Sequence, residues 1–567
     1  MNLSQWSARA MLFLCAAGVP SVAPASASAS SASAPHAMVV TAEPLATQAG
    51  LEILDAGGNA FDAAAAVGFA LAVTLPRAGN LGGGGFAVGL EDNGQAFALD
   101  FRETAPAAAH RDMFLDETGE VVRGRSLYTH SAVGVPGTVD GLLRIHAERG
   151  RLPRERVIAP AVRLARNGFP VSEVLAKSVH ARRELLSAHA AAAALFLPGG
   201  SPIAEGDTLR QEDLARTLLR ISRDGRDGFY AGETARLVAA EMARGGGMMT
   251  AADLASYQSI PREPFRIQSG GHEILTHPLP SSGGVVLAQI LGLVDWETLR
   301  AAGPHSAAYV RSLVEAERLA YADRNHHLGD PAFASVPVEM LVSEPYLSAR
   351  RRLIPPDSAG SSDRVSAGDP PLPESEETTH YCVCDSFGNV ASITTTLNGS
   401  YGSGIVVAGA GFLLNNEMDD FSAKPGVPNL YGLVGTEANS IAAGKRMLSS
   451  MTPSIVLKDD RFLLALGSPG GSTIITTVLQ VFLNATLFAM DLEHAVHAPR
   501  FHHQWLPDVV FAEETALPES TRASLRTLGY NLRDRSPIGR VAAIGRLPDG
   551  SLVGVFDRRG AGLAEGR

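Results

Sequence analysis

The chain runs to 567 residues, 45% hydrophobic and 19% charged, a balance that supports a large buried core and excludes an intrinsically disordered protein. Its formal charge of −11 offers no basic surface to nucleic acid or to an anionic membrane, so neither is expected as a partner.

Residues 1–35 read as a signal peptide and flexible leader. Arg9 precedes an apolar run from Met11 to Val19, followed by Ala25-Ser26-Ala27 and a Ser/Ala-rich stretch, the order of a secretory signal and its cleavage site. The run is too short to span a bilayer, and Leu14 before Cys15 does not suit a lipid anchor. A periplasmic or secreted protein with no membrane span in its mature form is expected. Without the leader only Cys382 and Cys384 remain. In a strand their i, i+2 spacing puts them on one face roughly 7 Å apart, outside disulfide geometry, and metal-ligand cysteine spacing is absent.

Leu45 to Ala56 has helical apolar spacing and stops at Gly57-Gly58. Asn59 then caps an Ala-rich helix to about Thr74, apolar nearly all round, as a helix sandwiched in a core is. A glycine loop at 79–85 leads into two strands, Phe86–Leu90 and Ala96–Phe101, joined by Asp92-Asn93-Gly94. No strand precedes the glycines and no Lys-Ser/Thr follows them, so they read as close backbone packing rather than a phosphate loop.

Residues 140–350 alternate amphipathic helical stretches (Val157–Asn167, Asp213–Arg223, Thr234–Arg244, Ala307–Asp323) with turns such as Pro198-Gly199-Gly200. No motif there carries chemistry, and Pro280-Ser281-Ser282-Gly283-Gly284 reads as a plain helix start. Residues 355–377, rich in Pro, Ser, Gly and Asp, form a flexible segment ending at Glu377. Thr378–Asp385 and Val390–Leu397 then read as strands on either side of a turn. Strand Arg461–Leu466, a glycine loop at 467–472 and an apolar helix from Ile474 follow.

A threonine hydroxyl is a poor nucleophile without an adjacent base. A threonine that heads its chain can use its own α-amine, whose ordinary pKa is about 7.7–8.0. Thr378, between a disposable linker and a core strand, is where cleavage after Glu377 would create that arrangement. Spacing alone does not decide it, because threonines commonly open strands for their β propensity.

The segment from Thr378 to Ser472 resembles the small-subunit core of γ-glutamyltranspeptidases phrase by phrase. The phrases are Thr378-Thr379-His380-Tyr381, Thr396-Leu397-Asn398, Asn415-Asn416-Glu417-Met418-Asp419-Asp420-Phe421, residues 425–432, Leu448-Ser449-Ser450-Met451 and Gly467-Ser468-Pro469-Gly470-Gly471-Ser472. Upstream the likeness continues through residues 56–60, the glycine loop and Asp100-Phe101-Arg102-Glu103, and downstream through residues 498–505.

The resemblance implies an α/β precursor of the N-terminal-nucleophile class with a four-layer αββα sandwich. It would be cut before Thr378 into a large subunit, 36–377, and a small subunit, 378–567, that remain together as a heterodimer. It also implies that Thr378 attacks the γ-amide of glutathione or another γ-glutamyl compound. Water, an amino acid or a dipeptide would then take the acyl group. In that scheme Thr396 hydrogen-bonds the nucleophile, and the Gly470 and Gly471 amides form the oxyanion hole. Arg102, Ser449 and Ser450 read the substrate's α-carboxylate, while Asp420, Glu417 and Asn398 accept from its α-ammonium. Tyr431 tips a lid loop.

No metal and no cofactor is expected, and His502-His503, adjacent in a strand, point to opposite faces. Glu417 stands where some members carry Gln, and the tail Asp557-Arg558-Arg559 departs slightly from the usual ending. Two other readings go with the resemblance: a cephalosporin (glutaryl) acylase-type amidohydrolase, or an uncut inactive scaffold of the same fold.

Overall fold

The computed structural model describes residues 30–364, 378–535 and 537–567. Thr378–Cys384 shows how the sequence builds its centre, since this β-branched, aromatic strand is buried on both faces. Cys382 and Cys384 pack with Met38, Val40, Ile455 and Ala542. Tyr381 and Val383, on the opposite face, pack with the Ala-rich helix Ala60–Thr74. Both cysteines are free.

Around this strand lies a seven-stranded antiparallel sheet in the order Leu563–Gly566, Met38–Thr41, Thr378–Cys384, Val390–Thr396, Gly84–Leu90, Ala96–Asp100, Ile260–Arg262. A second antiparallel sheet has the order Ser31–Ala34, Leu552–Phe556, Ala542–Arg546, Arg461–Gly467, Ser454–Lys458, His272–Thr276, Phe265–Ser269. The sheets stack face to face. Helices Pro44–Asp55 and Ala60–Thr74 cover the first, and Gly283–Leu293, Thr473–Thr486 and Leu492–His497 cover the second. The result is the expected αββα sandwich.

Each sheet draws strands from both sides of the 377/378 junction, so opening that bond leaves the two pieces hydrogen-bonded to each other along whole strands. No described helix is long and apolar enough to cross a membrane.

Asn59 caps its helix through a reciprocal capping box with Asp62, and all 15 residues of that helix are buried. The glycine loop serves close backbone approach as expected. A Cβ at Gly83 would collide with the Thr396 carbonyl, and one at Gly85 with the Thr394 carbonyl.

Two boundaries need correction. Ser31–Ala34, read as the end of the flexible leader, is an edge strand paired with Leu552–Phe556. Its small side chains gave no apolar alternation to mark it, and the partner that orders it lies some 520 positions away. Residues 1–29, including the proposed signal, lie outside the described residues. The helix expected to stop at Asp323 runs from Ala307 to His327, because Arg324 and Asp323 are both tied into tertiary hydrogen bonds.

Candidate active site

Strand pairing places Thr378 directly opposite Thr396 at the end of two central strands. The Thr378 hydroxyl donates to Thr396 Oγ1 at 3.4 Å, its only hydrogen-bond partner among the described residues. Beyond Thr396 the chain turns at Asn398, which adopts a left-handed φ of 71°, a conformation that asparagine tolerates better than most residues. The turn aims the Asn398 amide at Thr396 Oγ1 (2.8 Å) and its side-chain NH2 at the Asn416 carbonyl (3.0 Å). Asn398 Oδ1 is left buried with no partner.

Asn415 pins the neighbouring segment. Its NH2 donates to the carbonyls of Gly82 and Gly134, and its Oδ1 accepts from the Gly134 and Glu417 amides. A single 3-10 turn, Glu417–Asp420, then presents its acids to Arg102.

Arg102 follows strand Ala96–Asp100 and is fully buried. One arm of its guanidinium donates to Glu417 and the other to Asp420, with Glu103 at 3.6 Å. The fork expected to face a substrate carboxylate is therefore held by two acids of the site. Burial works against the guanidinium's charge, but the three surrounding carboxylates outweigh it and hold its pKa above the ordinary value.

Ser449 and Ser450 precede strand Ser454–Lys458 and are fixed from behind by residues 280–284. The Ser282 amide donates to the Ser449 carbonyl (2.7 Å), and the Ser449 amide to the Pro280 carbonyl (2.9 Å). That turn does start helix Gly283–Leu293, but it also buttresses the two serines. Arg324 and Asn325, from the region expected to carry no chemistry, line the same pocket. Amphipathic spacing cannot tell a buried arginine from a solvated one, so nothing in the sequence alone marked Arg324.

Gly470 and Gly471 have φ of 134° and 55°, where L side chains are strained. Their carbonyls accept from the Thr473 and Ile474 amides, while their own N–H groups meet no acceptor among the described residues. The Tyr431 ring lies over Gly471, and its hydroxyl donates to the Asn398 carbonyl at 2.8 Å. Leu430 N donates to Asp419 and Tyr431 N to Asn429, which holds the loop with Tyr431 over Gly471.

One pocket collects Arg102, Thr378, Thr396, Asn398, Glu417, Asp420, Tyr431, Ser449, Ser450 and Gly471. Of the residues singled out in the sequence, Gly470 sits one position behind the lining, and Glu377 lies outside the described residues. His502 and His503 turn to different partners, Thr476 and Asp508.

Residues 46–566 match the family model described as Gamma-glutamyltranspeptidase. The chain belongs to the gamma-glutamyltranspeptidase family. A glutathione hydrolase proenzyme of Escherichia coli K12 is 45% identical to it over 93% of this chain and 91% of that protein. Among solved structures, a cephalosporin acylase from Bacillus halodurans superposes with a TM-score of 0.82 at 26% identity, covering 98% of this chain and 99% of that one. A Helicobacter pylori gamma-glutamyltranspeptidase chain aligns with a TM-score of 0.56 at 41% identity, over 57% of this chain and 93% of that one.

Few described groups could take a proton from the Thr378 hydroxyl. His380, two residues beyond Thr378, is buried with its ring nitrogens engaged by Thr394 (2.8 Å) and Cys382 (3.1 Å). Burial holds its pKa down to about 3, so it is neutral. No described side chain other than Thr396 hydrogen-bonds the Thr378 hydroxyl.

Burial pushes the acids around Arg102 toward their protonated forms. Both Glu103 oxygens and Glu417 Oε2 are buried without a hydrogen-bond donor among the described residues. Burial pushes Glu103 up from 4.5 to about 7, with Arg102 opposing, and pushes Glu417 well above its ordinary value.

A raised carboxyl pKa means that the folded state retains a proton the unfolded chain has lost between pH 4.5 and about 7. Stability from this group is therefore full below pH 4.5 and declines as pH rises through 7. Glu103→Gln, whose amide donates permanently, should remove that decline. Denaturant melts at pH 5 and pH 7.5 should show wild type losing about 1–3 kcal/mol more than the variant between those two pH values. Equal losses would place the proton elsewhere.

Proposed function

We propose that the protein is a self-processing γ-glutamyltransferase and glutathione hydrolase that works through a γ-glutamyl ester on Thr378. The observation that carries this reading is the convergence on one pocket of the Thr378 hydroxyl, a glycine turn with free amides and a cation–acid set matched to a zwitterion.

Maturation begins when the Thr378 hydroxyl attacks the Glu377 carbonyl. The amide bond is exchanged for an ester, and water hydrolyses the ester, leaving Glu377 as a carboxylate and Thr378 with a free α-amine. The large subunit, about 36–377 and starting nearer residue 30 if the Ser31–Ala34 strand is retained, then stays with the small subunit, 378–567, through the shared sheets. A solved chain of the family that aligns to only 57% of this one is in keeping with a two-chain product.

In turnover the α-amine takes the hydroxyl proton as Thr378 Oγ1 bonds to the γ-carbonyl carbon. Thr396 holds the hydroxyl, and the Gly470 and Gly471 amides receive the oxyanion. Collapse expels the amine with that proton. Water or an acceptor amino acid or dipeptide repeats the sequence on the ester. The glutamyl end binds by ion exchange within the buried cluster: its carboxylate takes Arg102 donors, and its ammonium takes Glu417, Asp420 and the orphan Asn398 Oδ1. Every charge keeps a partner.

A glutaryl acylase reading draws on the likeness to the Bacillus halodurans enzyme, but glutaryl groups have no ammonium to satisfy Asn398 Oδ1 and the acids. The apolar run at Met11–Val19 supports export to the periplasm or medium.

Intact mass and N-terminal sequencing of the purified protein, together with amine release from a γ-glutamyl anilide, test the reading. Two chains, the smaller beginning at Thr378, with amine released, support it. A single uncut chain without activity would leave only the scaffold reading.

A further inference from the structure

Arg324 is a buried cation with no carboxylate within ion-pair distance among the described residues, and none of the roles given above uses it. Its guanidinium donates to Ser282 Oγ (3.0 Å), Asn325 Oδ1 (2.9 Å) and Ser450 Oγ (3.2 Å). Burial lowers its pKa to about 10, with Tyr321 and Asp420 opposing, so it is charged at neutral pH.

The direction of these bonds is fixed, because a guanidinium can only donate. Ser282 and Ser450 must each accept from Arg324, and their own hydrogens must go elsewhere. Ser282 sends its hydrogen to the Ser449 carbonyl at 2.8 Å. The Ser450 hydroxyl makes no hydrogen bond of its own to a described residue, and it lines the pocket. Ser449 is in the same position: its Oγ accepts from the Met451 amide at 3.1 Å, which leaves its hydrogen free. Two neighbouring hydroxyls thus have their acceptor sides engaged from behind and their hydrogens available toward the cavity, and a positive charge with no ion-pair partner among the described residues backs one of them. Such a set suits a carboxylate and repels an ammonium.

We propose that Arg324 is a positioning and specificity-determining residue that acts through Ser450. It fixes the serine hydroxyl as a donor and supplies the second positive charge, after Arg102, that selects donors bearing an α-carboxylate. The proposal rests on reading this pocket as the γ-glutamyl site.

The test is competitive inhibition of γ-glutamyl anilide hydrolysis by L-glutamate, which carries both the carboxylate and the ammonium, and by 4-aminobutyrate, which lacks the α-carboxylate. Wild type and Arg324→Lys are compared, since lysine keeps the charge and loses the fork. In the variant the L-glutamate inhibition constant and the anilide KM should rise about tenfold or more, the scale of a lost charge-assisted hydrogen bond. The 4-aminobutyrate constant should change by less than about twofold, and kcat should fall less than KM rises.

Equal weakening of both inhibitors, or of neither, overturns the proposal, because a loosened pocket would not discriminate between them. Should Arg324→Lys not fold, Ser282→Ala gives the same readout: it frees Arg324 from its outer anchor and should weaken L-glutamate selectively. An inactive wild type would instead overturn the γ-glutamyl reading itself.

Discussion

Thr378→Ala should yield a single unbroken chain and lose at least about a thousandfold in amine release, the scale seen when a nucleophile is deleted and binding groups remain. Both defects have one origin. In the proposed scheme the hydroxyl that opens the 377/378 bond is the same one that later forms the γ-glutamyl ester, and the described residues offer no substitute: His380 is neutral and engaged. The fold should survive. The hydroxyl makes one long bond, 3.4 Å to Thr396, and the loss of such a bond costs about 1 kcal/mol or less. A thermal midpoint within a few degrees of wild type, with one band on a denaturing gel and no product, is the expected triple result. Two bands in the variant would assign cleavage to another residue.

The parts of this molecule legible in the sequence are those whose signal is local. The Asn59 cap, the fully buried helix after it and the strands at 378–384 and 390–396 all stand as the pattern indicates, because propensity and burial agree there. The glycine loop was legible for the same reason, since backbone contact excludes any other residue. Arg102, Ser449 and Asp420, which line one pocket, were singled out only through resemblance, because no local pattern in the sequence marks them.

Two features stayed hidden because they depend on distant partners. Ser31–Ala34 becomes a strand only where Leu552–Phe556 meets it. Arg324 becomes a pocket residue only where the turn at 280–284 and the serines at 449–450 converge on it. Nor could the sequence show that the Arg102 fork is already held by Glu417 and Asp420, since that depends on the geometry of the closed pocket.

That closed cluster sets the second large effect. Arg102→Leu removes the cation from among Glu103, Glu417 and Asp420, of which Glu103 and Glu417 are fully buried. Breaking a buried pair in this way costs about 3–5 kcal/mol at neutral pH, because the remaining charges are desolvated and unpaired. The sign of the pH response follows. Arg102 is what opposes the upward push of burial on all three acids, so without it their pKa values rise further and they take up protons at higher pH. Protonation relieves the repulsion, and the variant should regain stability relative to wild type as pH falls from 7.5 to 5.5.

In the proposed binding mode activity should not return with it, because neutral acids accept poorly from an ammonium and the α-carboxylate has lost its fork. A drop in kcat/KM of at least about a hundredfold is expected at both pH values. Arg102→Lys restores one charge without the two-armed geometry, so it should recover most of the stability but little of the activity. Denaturant melts of both variants at the two pH values, with kcat/KM measured alongside, separate the two roles. If the stability deficit of Arg102→Leu is the same at pH 5.5 and 7.5, the acids around Arg102 are not what its charge holds in place.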